Sequence, residues 1–79
     1  MPKERLVPER ELAALAKRCR KRAGKTRAQA ARDMGVSQTS VFQAEEMPTQ
    51  ALAKLRVRMI EAYSGLEVTG PLFRVRGRE

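Results

Sequence analysis

The sequence predicts a mainly α fold of about four helices followed by a C-terminal β-hairpin. Apolar residues recur at helical spacing (i, i+3 or i+4, i+7) in two segments, 9–23 and 49–64. Between them, residues 26–45 divide into two short helix-forming runs on either side of Gly35. After residue 65 the apolar residues alternate, which indicates strands. With 79 residues, the chain is expected to form one small domain.

The N-terminal third of the chain predicts an arm and one amphipathic helix. Residues 1–8 contain two prolines and no apolar period, so we expect a flexible arm. The helix that follows has acidic residues in its first turn and basic residues in its last, an arrangement that the helix dipole favours. We expect it to end at Gly24 and to bury one stripe, comprising Leu12, Leu15, Ala16, Cys19 and Ala23.

Residues 26–45 carry the strongest local signals of the chain. Thr26 and Ser37 are each placed to cap a helix through a side-chain hydroxyl. Gly35 stands between the two helices, where the chain must turn with a positive φ that glycine tolerates best. The residues expected to face inward are Ala30, Ala31, Met34, Val36, Val41 and Ala44.

The C-terminal third predicts a single long helix and a hairpin. Residues 49–64 place Leu52, Leu55, Met59 and Ala62 on one stripe, with Pro48 or Thr49 as the first helical residue. Strands are expected over 66–69 and 72–76, on either side of Gly70-Pro71. The predicted organisation is therefore an arm (1–8), a helical domain (9–65) and a hairpin or tail (66–79).

The composition limits the classes of function. The net charge of +8 favours a polyanionic partner. The chain has no histidine and one cysteine, Cys19, which argues against an enzyme, a metal site or a disulfide. No cofactor is expected. No apolar run approaches the length of a membrane span, so we expect a cytoplasmic protein that does not enter membranes.

The run from Thr26 through Gly35-Val36-Ser37-Gln38 resembles the helix-turn-helix of the Cro/C1 family, also called XRE. The resemblance implies a lambda-repressor-like bundle whose second short helix enters the major groove of DNA. It places base-reading residues at Gln38, Thr39 and Gln43, side chains whose chemistry suits adenine and thymine edges. Candidate contacts to the DNA backbone are Arg27, Ser37, Ser40, Lys25 and Arg22.

Two further features follow from the resemblance. It implies an ion pair between Arg20 and Glu45 that would pin the first helix to the recognition helix. Phe42 departs from the family pattern, because a polar residue is usual there; packing on the following loop or on a DNA sugar are both open.

The passage from Ile60 to Val68 is similar to the join between last helix and strand in small helix-turn-helix antitoxins. A lone hairpin is barely stable in water, so it should pack on the helices or on another chain. We expect a C2 homodimer, because one recognition helix reads too few base pairs to find a site. Its predicted interface contains Leu66, Val68, Phe73 and Val75.

These features favour a sequence-specific double-stranded DNA-binding regulator, a dimeric repressor of a palindromic operator. One alternative is an antitoxin that regulates its own operon and has a toxin as partner. Another is a non-specific or RNA-binding basic module, although one tyrosine and two phenylalanines offer few rings for stacking on single-stranded RNA.

Overall fold

A computed structural model describes residues 4–69 and 73–77 of the chain. Within these residues the chain forms four helices and a three-stranded sheet. The elements in chain order are β1 (Glu4–Val7), α1 (Glu9–Arg22), α2 (Arg27–Met34), α3 (Gln38–Glu46), α4 (Ala53–Ser64), β2 (Leu66–Thr69) and β3 (Phe73–Gly77). The mainly helical fold predicted from the sequence is confirmed. Among the described residues, no helix is long and apolar enough to cross a lipid bilayer.

The predicted C-terminal hairpin is confirmed by the pairing of its strands. β2 and β3 are antiparallel, with Val68 opposite Val75 and Leu66 opposite Gly77. Because β2 follows α4 directly after Gly65, which has φ +73°, the hairpin turns back beside the helices. The predicted turn residues, Gly70 and Pro71, lie outside the described residues.

The prediction of a flexible arm over residues 1–8 is wrong for residues 4–7. These residues form β1, which pairs antiparallel with β3 so that β3 becomes the central strand of the sheet. A strand at the edge of a sheet exposes unpaired backbone groups, and β1 satisfies those along one side of β3. Val7 is buried in the core. The pairing joins residues about 70 positions apart (Glu4 with Arg76), so no local sequence pattern could predict it.

The last helix is shorter than predicted. It begins at Ala53, whereas the sequence suggested Pro48 or Thr49, and residues 47–52 form turns. The carbonyls of Met47 and Gln50 accept hydrogen bonds from the Arg56 guanidinium, which holds this segment in a non-helical path. Ala62, predicted on the buried stripe, is exposed, whereas Ile60 is fully buried.

One hydrophobic core joins the helices to the sheet. All six residues predicted to face inward around the turn are buried or, for Val36, half-buried against the core, and Cys19 is buried as well. Ala23, predicted on the stripe of the first helix, is exposed at its C-terminal end. The buried apolar residues are Val7, Leu12, Ala13, Leu15, Ala16, Cys19, Ala30, Ala31, Met34, Val41, Ala44, Leu55, Met59, Ile60, Val68 and Val75.

Three of the four hairpin residues predicted to form a dimer interface pack in or against this core instead. Val68 and Val75 are 8 % and 4 % exposed within the single chain, and Leu66 is half-buried against the same core. β2 packs beside α4, so the chain itself covers Val68 and Val75, and they are not available for a dimer interface. The side chain of Phe73 lies outside the described residues. The homodimer stays a prediction, with no interface assigned to it.

The close approach of α2 and α3 yields a stability prediction. Ala31 is 5 % exposed, so Ala31→Leu would have to displace its neighbours and should lower the free energy of unfolding by about 1–3 kcal/mol. The matched control is Ala14→Leu on the exposed face of α1, which should change it by less than about 0.5 kcal/mol. Urea denaturation of both variants measures the difference. Equal stabilities would mean that the α2–α3 contact tolerates three more carbon atoms.

Candidate nucleic-acid interface

Side-chain caps determine the residues at which α2 and α3 begin. The Thr26 hydroxyl accepts a hydrogen bond from the backbone N–H of Gln29 at 3.1 Å. In return, the side-chain oxygen of Gln29 accepts one from the backbone N–H of Thr26 at 2.8 Å. This reciprocal pair is a capping box. The Ser37 hydroxyl accepts from the Ser40 amide at 3.1 Å and caps α3. Both predicted caps are confirmed.

The turn between α2 and α3 depends on Gly35. Its φ of +70° is the left-handed conformation predicted for this position. The next amide, from Val36, donates to the Ala31 carbonyl at 2.9 Å and closes the end of α2. Two residues later α3 begins, so only a short turn, hydrogen-bonded through the Gly35 and Val36 amides, separates α3 from α2.

The outer face of α3 presents the residues predicted to read bases. Gln38 and Thr39 are exposed in its first turn, and Gln43 is half-buried one turn later. The inner face is closed, because Val41 and Ala44 are fully buried. The structure thus brings the three predicted residues to one side of one short helix, while their contact with bases stays a prediction.

The predicted ion pair between Arg20 and Glu45 is confirmed. Arg20 Nε lies 2.5 Å from Glu45 Oε2 and Nη2 lies 2.9 Å from Oε1, so the two groups meet along two parallel hydrogen bonds. Their side chains are 8 % and 0 % exposed. The hydrogen bond to Glu45 raises the pKa of Arg20, while burial acts in the opposite direction. The third guanidinium nitrogen donates to the Lys25 carbonyl at 2.8 Å, which ties in the α1–α2 connection.

Arg27, predicted to contact a phosphate, already has carboxylate partners. Its Nε lies 3.0 Å from Glu45 Oε1 and its Nη2 lies 2.5 Å from Glu46 Oε2. Its Cζ lies 5.1 Å from the centroid of the Phe42 ring, a cation–π contact. Phe42 therefore packs on a side chain of α2, which neither of the two predicted roles included. A phosphate oxygen that takes the position of Glu46 Oε2 beside Arg27 Nη2 must displace this carboxylate.

Lys17 completes a cluster of charges that joins three helices. Its Nζ lies 2.5 Å from Glu46 Oε2, the same oxygen that Arg27 contacts. The hydrogen bond from Lys17 is the largest cause that lowers the pKa of Glu46, and it outweighs burial. We call Lys17, Arg20, Arg27, Glu45 and Glu46 the charge cluster. It links α1, α2 and the C-terminal end of α3, opposite the end that carries Gln38 and Thr39.

Sequence reasoning missed a buried arginine that fixes the same end of α3. Arg56 is 0 % exposed, and its guanidinium donates to the carbonyls of Ala44, Met47 and Gln50 at 2.8, 2.8 and 2.9 Å. Burial lowers its pKa. A helix leaves its last carbonyls without partners, and here Arg56 supplies the donors. A signal was available, because Arg56 follows Leu52 by four residues and precedes Ile60 by four, on the buried stripe of α4.

The remaining residues predicted to contact the DNA backbone lie in two places, at the N-terminus of α3 and around the α1–α2 connection. Ser37 and Ser40 lie at its N-terminus, beside Gln38 and Thr39. Lys25 Nζ lies 3.9 Å from Asp33 Oδ2 on α2, and Arg22 is exposed at the end of α1. A shallow cleft of about 300 Å³ runs along α3 and is lined by Arg27, Gln38, Thr39 and Phe42. This cleft connects the predicted base-reading side chains to the exposed edge of the charge cluster.

The geometry around α3 therefore includes polar side chains, a cleft and nearby cations on a rigidly held helix. No family model, curated protein or solved structure matches this chain. The functional assignment depends on the arrangement around α3. Among the described residues, no group of histidine, cysteine, aspartate and glutamate side chains is arranged to hold a metal ion.

Proposed function

We propose that this chain binds double-stranded DNA at a preferred sequence, with α2, the Gly35 turn and α3 acting as a lambda-repressor-like helix-turn-helix. The observation that carries the proposal is the fixed presentation of Gln38 and Thr39 in the first turn of α3. Such a unit reads bases with the N-terminal residues of its second helix. α3 leaves these residues in solvent while its other side is buried.

The chemistry of the exposed residues supports base reading. A glutamine amide carries one donor and one acceptor and matches the adenine edge in the major groove. The methyl group of Thr39 suits a thymine methyl. Gln43, one turn further along, would contact the next base pairs. Ser37 and Ser40, at the N-terminus of α3, would contact a phosphate there, where the helix dipole also favours negative charge.

The charge of the chain supports the electrostatic part of binding. The net charge is +8, and the exposed basic residues Arg22 and Lys21 lie at the end of α1, next to the connection that leads into α2. Contacts of this kind release counterions from DNA and supply affinity that does not depend on sequence. In a regulator of transcription, this general affinity would be combined with base reading by α3.

The test of this proposal is a loss of specificity when the α3 glutamines are shortened. A preferred duplex would be selected from a randomised pool with the purified chain. On that duplex, Gln38→Ala and Gln43→Ala should each weaken binding by about 1–3 kcal/mol, with a far smaller loss on a scrambled duplex. Fluorescence anisotropy measures both affinities.

Gln50→Ala is the matched control, because Gln50 is an exposed glutamine in the turns after α3 and its described hydrogen bonds are all made by its backbone. It should change neither affinity by more than about 0.5 kcal/mol. Equal losses on the preferred and scrambled duplexes would show that the chain is a non-specific basic module. Selection of no preferred duplex would contradict the proposal directly.

A further inference from the structure

One carboxylate oxygen in the charge cluster accepts from two cations at the same time. Glu46 Oε2 lies 2.5 Å from Lys17 Nζ on α1 and 2.5 Å from Arg27 Nη2 on α2. The three side chains are each about one-third exposed, at 34 % for Lys17, 31 % for Arg27 and 33 % for Glu46. Two cationic donors therefore point at the position of this oxygen, and solvent can reach it.

The two adjacent glutamates of the cluster differ in how firmly they are held. Glu45 is 0 % exposed and is bound by Arg20 along two hydrogen bonds, so its removal would leave a buried charge unpaired. Glu46 is the last residue of α3 and lies at the edge of the cluster. Its carboxylate can leave for solvent at a smaller cost than that of Glu45, because ion pairs exposed to solvent contribute less to stability than buried ones.

We propose that Lys17 and Arg27 form a binding site for a phosphodiester oxygen of duplex DNA, and that Glu46 occupies this site in the free protein as an intramolecular competitor. The proposal rests on the proposed function, since it names a contact made when α3 lies in the groove. It also refines the expected role of Arg27, because the phosphate would take the place of Glu46 at Nη2.

The chemistry of the site suits the exchange. Guanidinium and ammonium groups bind a phosphate oxygen in the same way as a carboxylate oxygen, through short charge-assisted hydrogen bonds. Arg27 would keep its orientation when Glu46 leaves, because Glu45 Oε1 still accepts from its Nε and the Phe42 ring still lies over its guanidinium. The site is thus formed in advance on the side of Arg27.

The position of the site suits a DNA backbone. Arg27 and Phe42 line the cleft that continues to Gln38 and Thr39 on α3. A strand whose bases are read by these side chains would pass its phosphates along the flank of the helix. In the wild type, DNA binding must break the ion pairs of Glu46 with Lys17 and Arg27 before these cations can bind the phosphate. It must also bring the negatively charged DNA close to the Glu46 carboxylate. Neutralising Glu46 should remove both penalties.

The first arm of the experiment compares Glu46→Gln with Glu11→Gln, an exposed glutamate of α1 whose replacement changes the net charge equally. Anisotropy would measure affinity for the selected duplex over a series of salt concentrations. Glu46→Gln should strengthen binding roughly three- to tenfold more than Glu11→Gln does. This advantage of Glu46→Gln over Glu11→Gln should shrink as the salt concentration rises, because salt screens interactions between exposed charges. Adding Lys17→Gln to Glu46→Gln should reverse most of the gain. Equal effects of the two glutamate substitutions would overturn the proposal.

The second arm does not require DNA binding. Inorganic pyrophosphate would be titrated while the Nε–Hε resonance of Arg27 is followed by NMR. This resonance should shift at a lower pyrophosphate concentration in Glu46→Gln than in the wild type or in Glu11→Gln. No shift in any of the three would overturn the phosphate site. If the Arg27 resonance shifts as expected but no preferred duplex is selected, the phosphate site is supported and sequence-specific reading by α3 is refuted. A shift without any binding to duplex DNA would overturn DNA as the source of the phosphate.

Discussion

Replacing Arg56 with methionine is expected to lower the free energy of unfolding by about 3–5 kcal/mol, because three carbonyls lose donors from a charged group. Arg56 is fully buried and donates to Ala44, Met47 and Gln50, so methionine fills much of its volume but makes none of the bonds. The loss is partly offset, because a guanidinium no longer has to be buried. For a domain of this size, such a loss approaches its whole stability. Urea denaturation followed by circular dichroism measures it.

Arg56→Lys tests the hydrogen-bonding geometry of the guanidinium separately from its positive charge. Lysine keeps the charge and most of the stem, but one ammonium cannot reach three carbonyls spread along residues 44–50. Arg56→Lys should therefore lower the free energy of unfolding by most of the amount expected for Arg56→Met. Lys54→Met is the control, since Lys54 is exposed in the first turn of the same helix. Near-wild-type stability of Arg56→Lys would show that the three hydrogen bonds contribute little.

The second large effect is expected at the ion pair between α1 and α3. Arg20→Met leaves the fully buried Glu45 carboxylate with Arg27 as its remaining cationic partner among the described residues. Breaking a buried pair costs about 3–5 kcal/mol when one charge is stranded. Because Arg27 still donates to Glu45 Oε1, we expect about 3 kcal/mol, the lower end of that range. Arg18→Met on the exposed face of α1 is the matched control.

A double-mutant cycle would show whether the pair itself stabilises the fold. Arg20→Met combined with Glu45→Met replaces both charges by apolar groups, a change that is often neutral in buried sites. The double variant should therefore be less destabilised than the sum of the two single variants, by about 1–3 kcal/mol of coupling. Additive losses would mean that Arg20 and Glu45 act independently, in conflict with their two hydrogen bonds.

Local patterns in the sequence predicted the four helices and most of their ends, but not the start of α4. The stripe of α1, the caps at Thr26 and Ser37, and the positive φ of Gly35 all depend on residues within about four positions of each other. For that reason they could be recognised without the fold. The Arg20–Glu45 pair spans 25 positions, and it was predicted only through the resemblance to the Cro/C1 family.

Candidate site residues on α3 were predictable for the same local reason. A capped helix that buries Val41 and Ala44 turns Thr39 to its other side. Gln38 is exposed as the first residue of the helix. What these side chains bind was suggested by their chemistry and by the family resemblance, and the specificity experiment addresses it.

What the sequence by itself determined were the periods, caps and turns that make four helices and a hairpin. The tertiary structure alone decided that residues 4–7 become an edge strand and that Val68 and Val75 are covered within one chain. It also decided that Arg56 bonds the end of α3 and that Arg27 is held by Glu46 rather than left free. The physical reason is that backbone pairing and charge pairing act between groups brought close by packing, whatever their separation along the chain.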